Sequence, residues 1–235
     1  FPEVEYSFKS VLVQQCVYSG LLLKEQREMH LKIGEAIETL YRGRLEEHFE
    51  SLSRHYHSAQ KLSKAYDYSV RAGLKAKDKH APAEAIASLQ RAIDIFPQID
   101  DVRIPIEQVY YALAEVFEVN GDLKMAIEYL EKFAESVEEV VEKGDTVRRI
   151  GKIWEKVGDR NIALTTYEQA SALLKGHPES VEMGRVLMNQ SWILNRQRAS
   201  DLAFAKCNQA LKLFERNQAT EDIAEANNNL AVFYE

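Results

Sequence analysis

The sequence predicts an all-α fold, a right-handed superhelix of antiparallel helix hairpins entered through a short N-terminal connecting module. Three observations carry that prediction. Apolar residues recur at spacings of three and four along most of the chain, the signature of amphipathic helices. Gly and Pro number only 10 and 5 in 235 residues, few for a protein rich in turns and sheets. A hairpin-sized pattern then repeats with its own punctuation. No apolar run approaches the roughly 20 residues of a membrane span, so a membrane role is not expected.

The elements follow in order. Glu5 to Phe8 is the only stretch with strand character. Glu25 to Tyr41 reads as a helix, with Met29, Ile33, Ile37 and Leu40 on one face. Leu45 to Ala59 and Lys61 to Lys77 follow as two more. Pro82 suits a first helical turn, and Ile86, Leu89, Ile93 and Phe96 line the helix after it. Phe96-Pro97 ends that helix, because a residue before Pro disfavours helical geometry. Residues 97–105 form the one long connection. Beyond it, Gly121-Asp122 and Gly158-Asp159 each separate two helices: the Gly closes one in a left-handed conformation and the Asp caps the next. Ser200-Asp201 stands in that place in the third unit.

Aligned on these dipeptides, the chain repeats. Leu113, Ala114, Phe117, Gly121, Ala126, Leu130 and Phe133 take positions 7, 8, 11, 15, 20, 24 and 27 of a unit starting at Glu107. Ile150, Gly151, Trp154, Gly158, Ala163, Tyr167 and Ala170 take them in a unit from Gly144, and Ala203, Cys207 and Ala210 take the last three in a unit from Gly184. Leu230, Ala231 and Tyr234 begin another from Ala224. Small residues at 8, 20 and 27 let backbones approach, and large ones at 7, 11 and 24 fill the space between. The pattern resembles the tetratricopeptide repeat (TPR), a helix–turn–helix of about 34 residues. Upstream, Leu52, Tyr56, Ala65 and Ala72 fit one register, and Ala85, Leu89, Ala92 and Pro97 fit another. The helix near Lys61 to Lys77 serves both.

The N-terminal string Glu5-Tyr6-Ser7-Phe8-Lys9, with Leu12, Gln14, Tyr18, Leu21, Leu22, Arg27, His30, Ile33, Gly34, Glu35 and Ala36, is similar to the segment that joins the ATPase and winged-helix part of signal-transduction ATPases (the STAND class) to their helical repeat arm. Two positions depart from that family: Ser10 stands where His is usual, and Gln15 where an acidic residue is common. The resemblance implies a connecting module over residues 1–44 and TPR-like repeats over 45–235, the last one truncated. Phe1-Pro2-Glu3, without an initiator Met, reads as the start of an excised segment.

Composition excludes several function classes. The net charge is −7, a poor match to nucleic acid, which needs clustered positive charge. The excess sits in residues 107–143, with 3 basic and 10 acidic residues; elsewhere the charges balance. Arg71, Lys75, Lys77 and Lys79 form a basic patch without interleaved aromatics, so it reads as a helix end. The glycines form no phosphate loop, and no catalytic triad order is visible, so no catalytic residue and no cofactor are assigned. His48, His55 and His57 beside Glu47 lack metal-ligand spacing. Cys16 and Cys207 lie far apart in apolar helical patterns. With no secretory signal seen, they lead to the expectation of free thiols in a reducing, cytoplasmic compartment.

What remains is binding. In TPR proteins, positions 2, 5, 6, 9 and 13 of first helices usually line a groove. The unit from Gly144 places Asp145, Arg148, Arg149, Lys152 and Lys156 there, and the unit from Gly184 places Arg185, Met188, Asn189, Trp192 and Arg196. In the unit from Ala224, Glu225, Asn228, Asn229 and Val232 fill the first four. The candidate peptide-binding set is therefore Arg148, Arg149, Lys152, Lys156, Arg185, Asn189, Trp192, Arg196 and Asn229. The amides would hold a peptide backbone, since they both donate and accept. The expected role is a partner-binding, sensing arm of a signalling ATPase. The alternative is a free-standing adaptor for acidic peptides. The apolar face begun at Leu230 leads to an expectation of self-association through the C-terminal end.

Overall fold

The computed structural model describes residues 9–233, and every regular element among them is helical. The strand expected at Glu5 to Phe8 lies outside the described residues, as does Tyr234. The chain divides into two compact units, one up to Val109 and one from Tyr110. The first holds α1 (Val11–Ser19), α2 (Leu23–Leu40), α3 (Phe49–Ser58), α4 (Leu62–Asp78) and α5 (Pro82–Ile95). Helix α6 (Ile106–Asn120) spans the division. The second continues with α7 (Leu123–Ser136), α8 (Val140–Val157), α9 (Arg160–Leu173), α10 (Val181–Arg196), α11 (Ser200–Arg216) and α12 (Thr220–Phe233). Among the described residues, no helix is long and apolar enough to cross a membrane.

Local chemistry explains most boundaries. Ser10, the position that departs from the STAND pattern, caps α1: its hydroxyl accepts the Leu12 N–H at 3.2 Å. Pro82 opens α5, and Phe96-Pro97 ends it in a single tight turn. The helix expected from Leu45 to Ala59 begins later than the pattern implied. Residues Arg42–His48 make tighter 3-10 turns broken at Arg44 (φ −137°), and the α-helix starts at Phe49. Tyr41 leaves the helical region at φ −107°, and its ring packs 4.1 Å from that of His48, holding the short turns in place.

The hairpin turns share one construction. Gln60, His80, Gly121, Gly158, Arg198 and Gln218 all have positive φ. The N–H of the next residue reaches back five positions: Lys61 to Tyr56, Ala81 to Ala76, Asp122 to Phe117, Asp159 to Trp154, Ala199 to Leu194 and Ala219 to Phe214, at 2.9–3.1 Å. This left-handed closure satisfies carbonyls that the helix end would otherwise orphan. The side chains of Asp122 and Asp159 then accept the N–H groups of Met125 and Ile162, as expected. In the third unit the expected Ser200-Asp201 does not fill this place. Arg198 takes the left-handed slot and Ala199 the cap, without a side-chain bond. The backbone bonds define the turn, and they do not need a capping hydroxyl or carboxylate.

A second feature recurs sixteen residues apart, between positions 8 and 24. Gly151 lies against the ring of fully buried Tyr167, which leaves no room for a Cβ, and Gly73 lies likewise against Leu89. Across α3 and α4 the same positions hold Ser53 and Ser69, whose hydroxyls bond at 2.5 Å in a buried site. Helix α4 thus offers Ser69 to α3 and Gly73 to α5. The double register seen in the sequence is the actual packing: one helix is second partner in one hairpin and first partner in the next. In the other unit, Ala163, Tyr167, Leu174, Val186, Ile193, Cys207, Ala210 and Phe214 are fully buried in one cluster. Each large member contributes about 1.5–3 kcal/mol. Cys16 is exposed, Cys207 is buried, and both are free thiols.

Candidate interaction groove

Helices α8, α10 and α12 carry the nine candidate residues, and all lie in the second unit. Helix α10 packs on both α8 and α12, with α9 and α11 as antiparallel returns. Their facing sides form a cavity of about 320 Å³ lined by Lys152, Glu155, Lys156, Met188, Asn189, Trp192, Glu225 and Asn229. Five of the nine candidates, Lys152, Lys156, Asn189, Trp192 and Asn229, therefore meet in one place. Arg196 stands just outside, its guanidinium 5.0 Å from the centre of the Trp192 ring.

The structure sorts the cations. Arg148 is mostly buried; its Nε donates to Asp145 at 2.7 Å, and a terminal nitrogen reaches the Asn189 amide oxygen at 3.4 Å. Arg149 donates to Glu118 at 2.9 Å and lies over the Tyr111 ring. Lys156 donates to the same carboxylate. Arg185 makes a two-pronged contact with buried Asp222, at 2.8 and 2.9 Å. Three arginines of the candidate set thus serve as internal ties between helices. Burial alone would raise the Glu118 carboxyl, but hydrogen bonds from Lys156 and Arg149 outweigh it and hold the group below the ordinary carboxylate range. Lys152 is exposed and makes no hydrogen bond or ion pair among the described residues.

Two acidic residues in the lining were not in the candidate set. Glu155 is drawn inward: the Tyr167 hydroxyl donates to it, and burial pushes its carboxyl up from the ordinary range. Glu225 is exposed and unpaired among the described residues. Glu225 and Met188 sit at groove positions 2 and 5, so the repeat register alone was enough to find them. Glu155, at position 12, is set by its contact with Tyr167 and had no such signal. Asn189 is 7% exposed, with its oxygen occupied by Arg148; its amide nitrogen makes no bond among the described residues. It offers a cavity ligand donors only.

In the first unit, the histidines noted in the sequence separate. His55 bonds His30 through their Nδ1 atoms at 2.8 Å, His30 in turn bonds the Tyr18 hydroxyl at 2.9 Å, and His48 packs at a tilt against the Tyr41 ring. Among the described residues no three metal-ligating side chains converge. The basic patch is partly tied down: Arg71 pairs with Asp67 and Lys75 donates to the Glu46 carbonyl.

No family model and no curated protein matches the chain. Solved structures do. The chain superposes on a signal transduction ATPase with numerous domains carrying a tetratricopeptide repeat sensor, from Pyrococcus horikoshii, with TM-score 0.62 and 13% identity. That match covers 95% of this chain and 35% of the other. BtubC (BKLC) from P. vanneervenii matches with TM-score 0.57 and 14% identity over 91% of this chain and 84% of that one. MamA matches with TM-score 0.53 and 18% identity over 76% and 95%. At these identities the likeness is one of fold: the chain has an all-α, tetratricopeptide-like repeat fold.

Proposed function

We propose that this chain is a non-catalytic protein-interaction and sensing region of a cytoplasmic signalling ATPase. Residues 1–44 form its connecting module and 45–235 its repeat arm. A protein or peptide partner docks in the cavity between α8, α10 and α12. The observation that carries this reading is the convergence there of Lys152, Asn189, Trp192 and Asn229 from three successive first helices. A charge, amide donors, an amide acceptor and an aromatic surface in one concavity are what recognition of an extended chain requires. Partner capture would bias an off–on equilibrium of the attached ATPase only to the extent that the partner binds the two states unequally. The ATPase attachment is supported by the N-terminal resemblance and by the repeat sensor among the structural neighbours.

The same reading includes self-association through α12, where Ala231 and Val232 are exposed beside half-buried Leu230 and Phe233. The docking claim is tested with a partner captured by the intact chain. Its affinity for Lys152→Ala/Asn229→Ala, confirmed folded by circular dichroism, is expected to fall at least tenfold. An unchanged affinity would place the docking site elsewhere. The attachment is tested by the gene: a phosphate loop encoded upstream of Phe1 is expected, and an upstream region without one favours the free adaptor.

A further inference from the structure

We propose that the groove selects a short extended segment with an acidic and a basic side chain flanking an apolar one. This narrows the expected acidic-peptide ligand to a mixed-charge one, and it rests on the docking reading above. Most charges along the groove are spent within the protein. Arg148, Arg149 and Arg185 are paired within the protein, and Lys156 shares Glu118 with Arg149. On the acidic side, Glu155 is held by Tyr167. Within the cavity lining this leaves, among the described residues, one cation with no hydrogen bond or ion pair, Lys152 on α8, whose charge is felt by Glu155 only at longer range, and one such anion, Glu225 on α12. Between them, on α10, lies half-buried Trp192, with Met188, only 3% exposed, beside it.

The cavity therefore runs from positive, through apolar, to negative across three neighbouring helices. A uniformly acidic ligand would satisfy Lys152 and be repelled by Glu225. A uniformly basic one would meet the reverse. A ligand with both signs satisfies both ends. In an extended chain, alternate side chains share a face and four residues advance about 13 Å. An acid at one position, an apolar residue two further and a base four further thus present three side chains to one surface. Helix axes two packing steps apart lie roughly 16–20 Å from each other, and the long Lys152 and Glu225 side chains reach inward across the difference. The intervening backbone meets the Asn189 amide donors and the Asn229 amide.

The test is selection from a phage-displayed library of random seven-residue peptides against the intact chain. Enriched sequences are expected to carry an acid and a base on either side of an apolar residue. Two exposed substitutions should then redirect the selection: Glu225→Lys toward doubly acidic peptides, and Lys152→Glu toward doubly basic ones. Each should weaken a selected mixed-charge peptide about five- to twentyfold, since an attraction becomes a repulsion. Purely acidic peptides enriched on the native chain, or charge reversals that leave the selected composition unchanged, would overturn the proposal. So would a selection that enriches nothing over bare support. A Trp192→Ala/Asn229→Ala variant separates the two readings. If overturning peptides lose binding to it, the groove still docks ligands; if they bind it undiminished, the docking reading falls as well.

Discussion

Replacing Arg198 by Gly should stabilise the protein, although Arg198 is exposed. Arg198 sits at φ 63° in the turn between α10 and α11, in the slot that Gly158 fills between α8 and α9 at φ 97°. A side chain with a Cβ pays about 1–2 kcal/mol to be left-handed. Gly removes that cost but loses about 0.5–1 kcal/mol through the greater freedom of its unfolded chain. The net gain is about 0.5–1 kcal/mol. The turn's defining bonds, Arg198 N–H to Asn195 and Ala199 N–H to Leu194, are backbone bonds and survive the change. For a chain of this size 1 kcal/mol moves the melting midpoint by about 2–4 °C, so a rise of about 1–4 °C is expected in thermal melts followed by circular dichroism at 222 nm. The reciprocal Gly158→Ala should lower the midpoint by a similar amount. If Arg198→Gly lowers the midpoint, or Gly158→Ala leaves it unmoved, left-handed strain is not what these turns carry.

Two further substitutions test packing and charge. Gly151→Ala sets a methyl group against the Tyr167 ring, whose hydroxyl is tethered to Glu155. Overpacking of about 1–3 kcal/mol, offset by about 1 kcal/mol of helix propensity, should leave a net loss measurable by urea unfolding, whereas Gly43→Ala, with open space around it, should cost nothing. Glu118→Gln should cost about 1–2 kcal/mol at neutral pH by weakening the bonds to Arg149 and Lys156. The folded Glu118 carboxyl lies below its ordinary value, so its contribution is present above the unfolded pKa and is lost as pH falls through the folded one. The stability gap between wild type and variant should therefore close on acidification below about pH 4.5, and a gap constant from pH 7 to 3 would rule the ion pair out as its source.

The turns show how far the fold was legible. Gly121-Asp122 and Gly158-Asp159 announced themselves, because Gly is the residue that accepts positive φ without cost and Asp is a ready cap. Gln60, His80, Arg198 and Gln218 occupy the same slot and gave no signal. Their conformation is imposed by the hairpin packing on either side, which overrides local preference. The Ser53–Ser69 pair was hidden for a similar reason: a small-against-large contact was the expected form, and two serines fill the same space with a hydrogen bond instead. The late start of α3 was missed because its apolar spacing continues back through the 3-10 turns.

The groove was legible in place but not in charge. Position in the repeat was enough to put Lys152, Asn189, Trp192 and Asn229 on converging faces. It could not say which cations face a ligand, because their partners come from neighbouring helices. Glu118 lies 31 residues before Arg149 and 38 before Lys156; Asp222 lies 37 after Arg185. These separations are about one repeat, so each first helix is edited by the first helix beside it. The acid-rich stretch at 107–143 thus has work beyond solvation: through Glu118 it takes up two of the four candidate cations on α8, Asp145 takes a third, and among the described residues Lys152 is left without an ion pair. A charge count along a single helix overstates what its groove presents. The charge a groove presents is what remains after neighbouring repeats have cancelled, and in the cavity between α8, α10 and α12 that remainder, among the described residues, has both signs, Lys152 and Glu225.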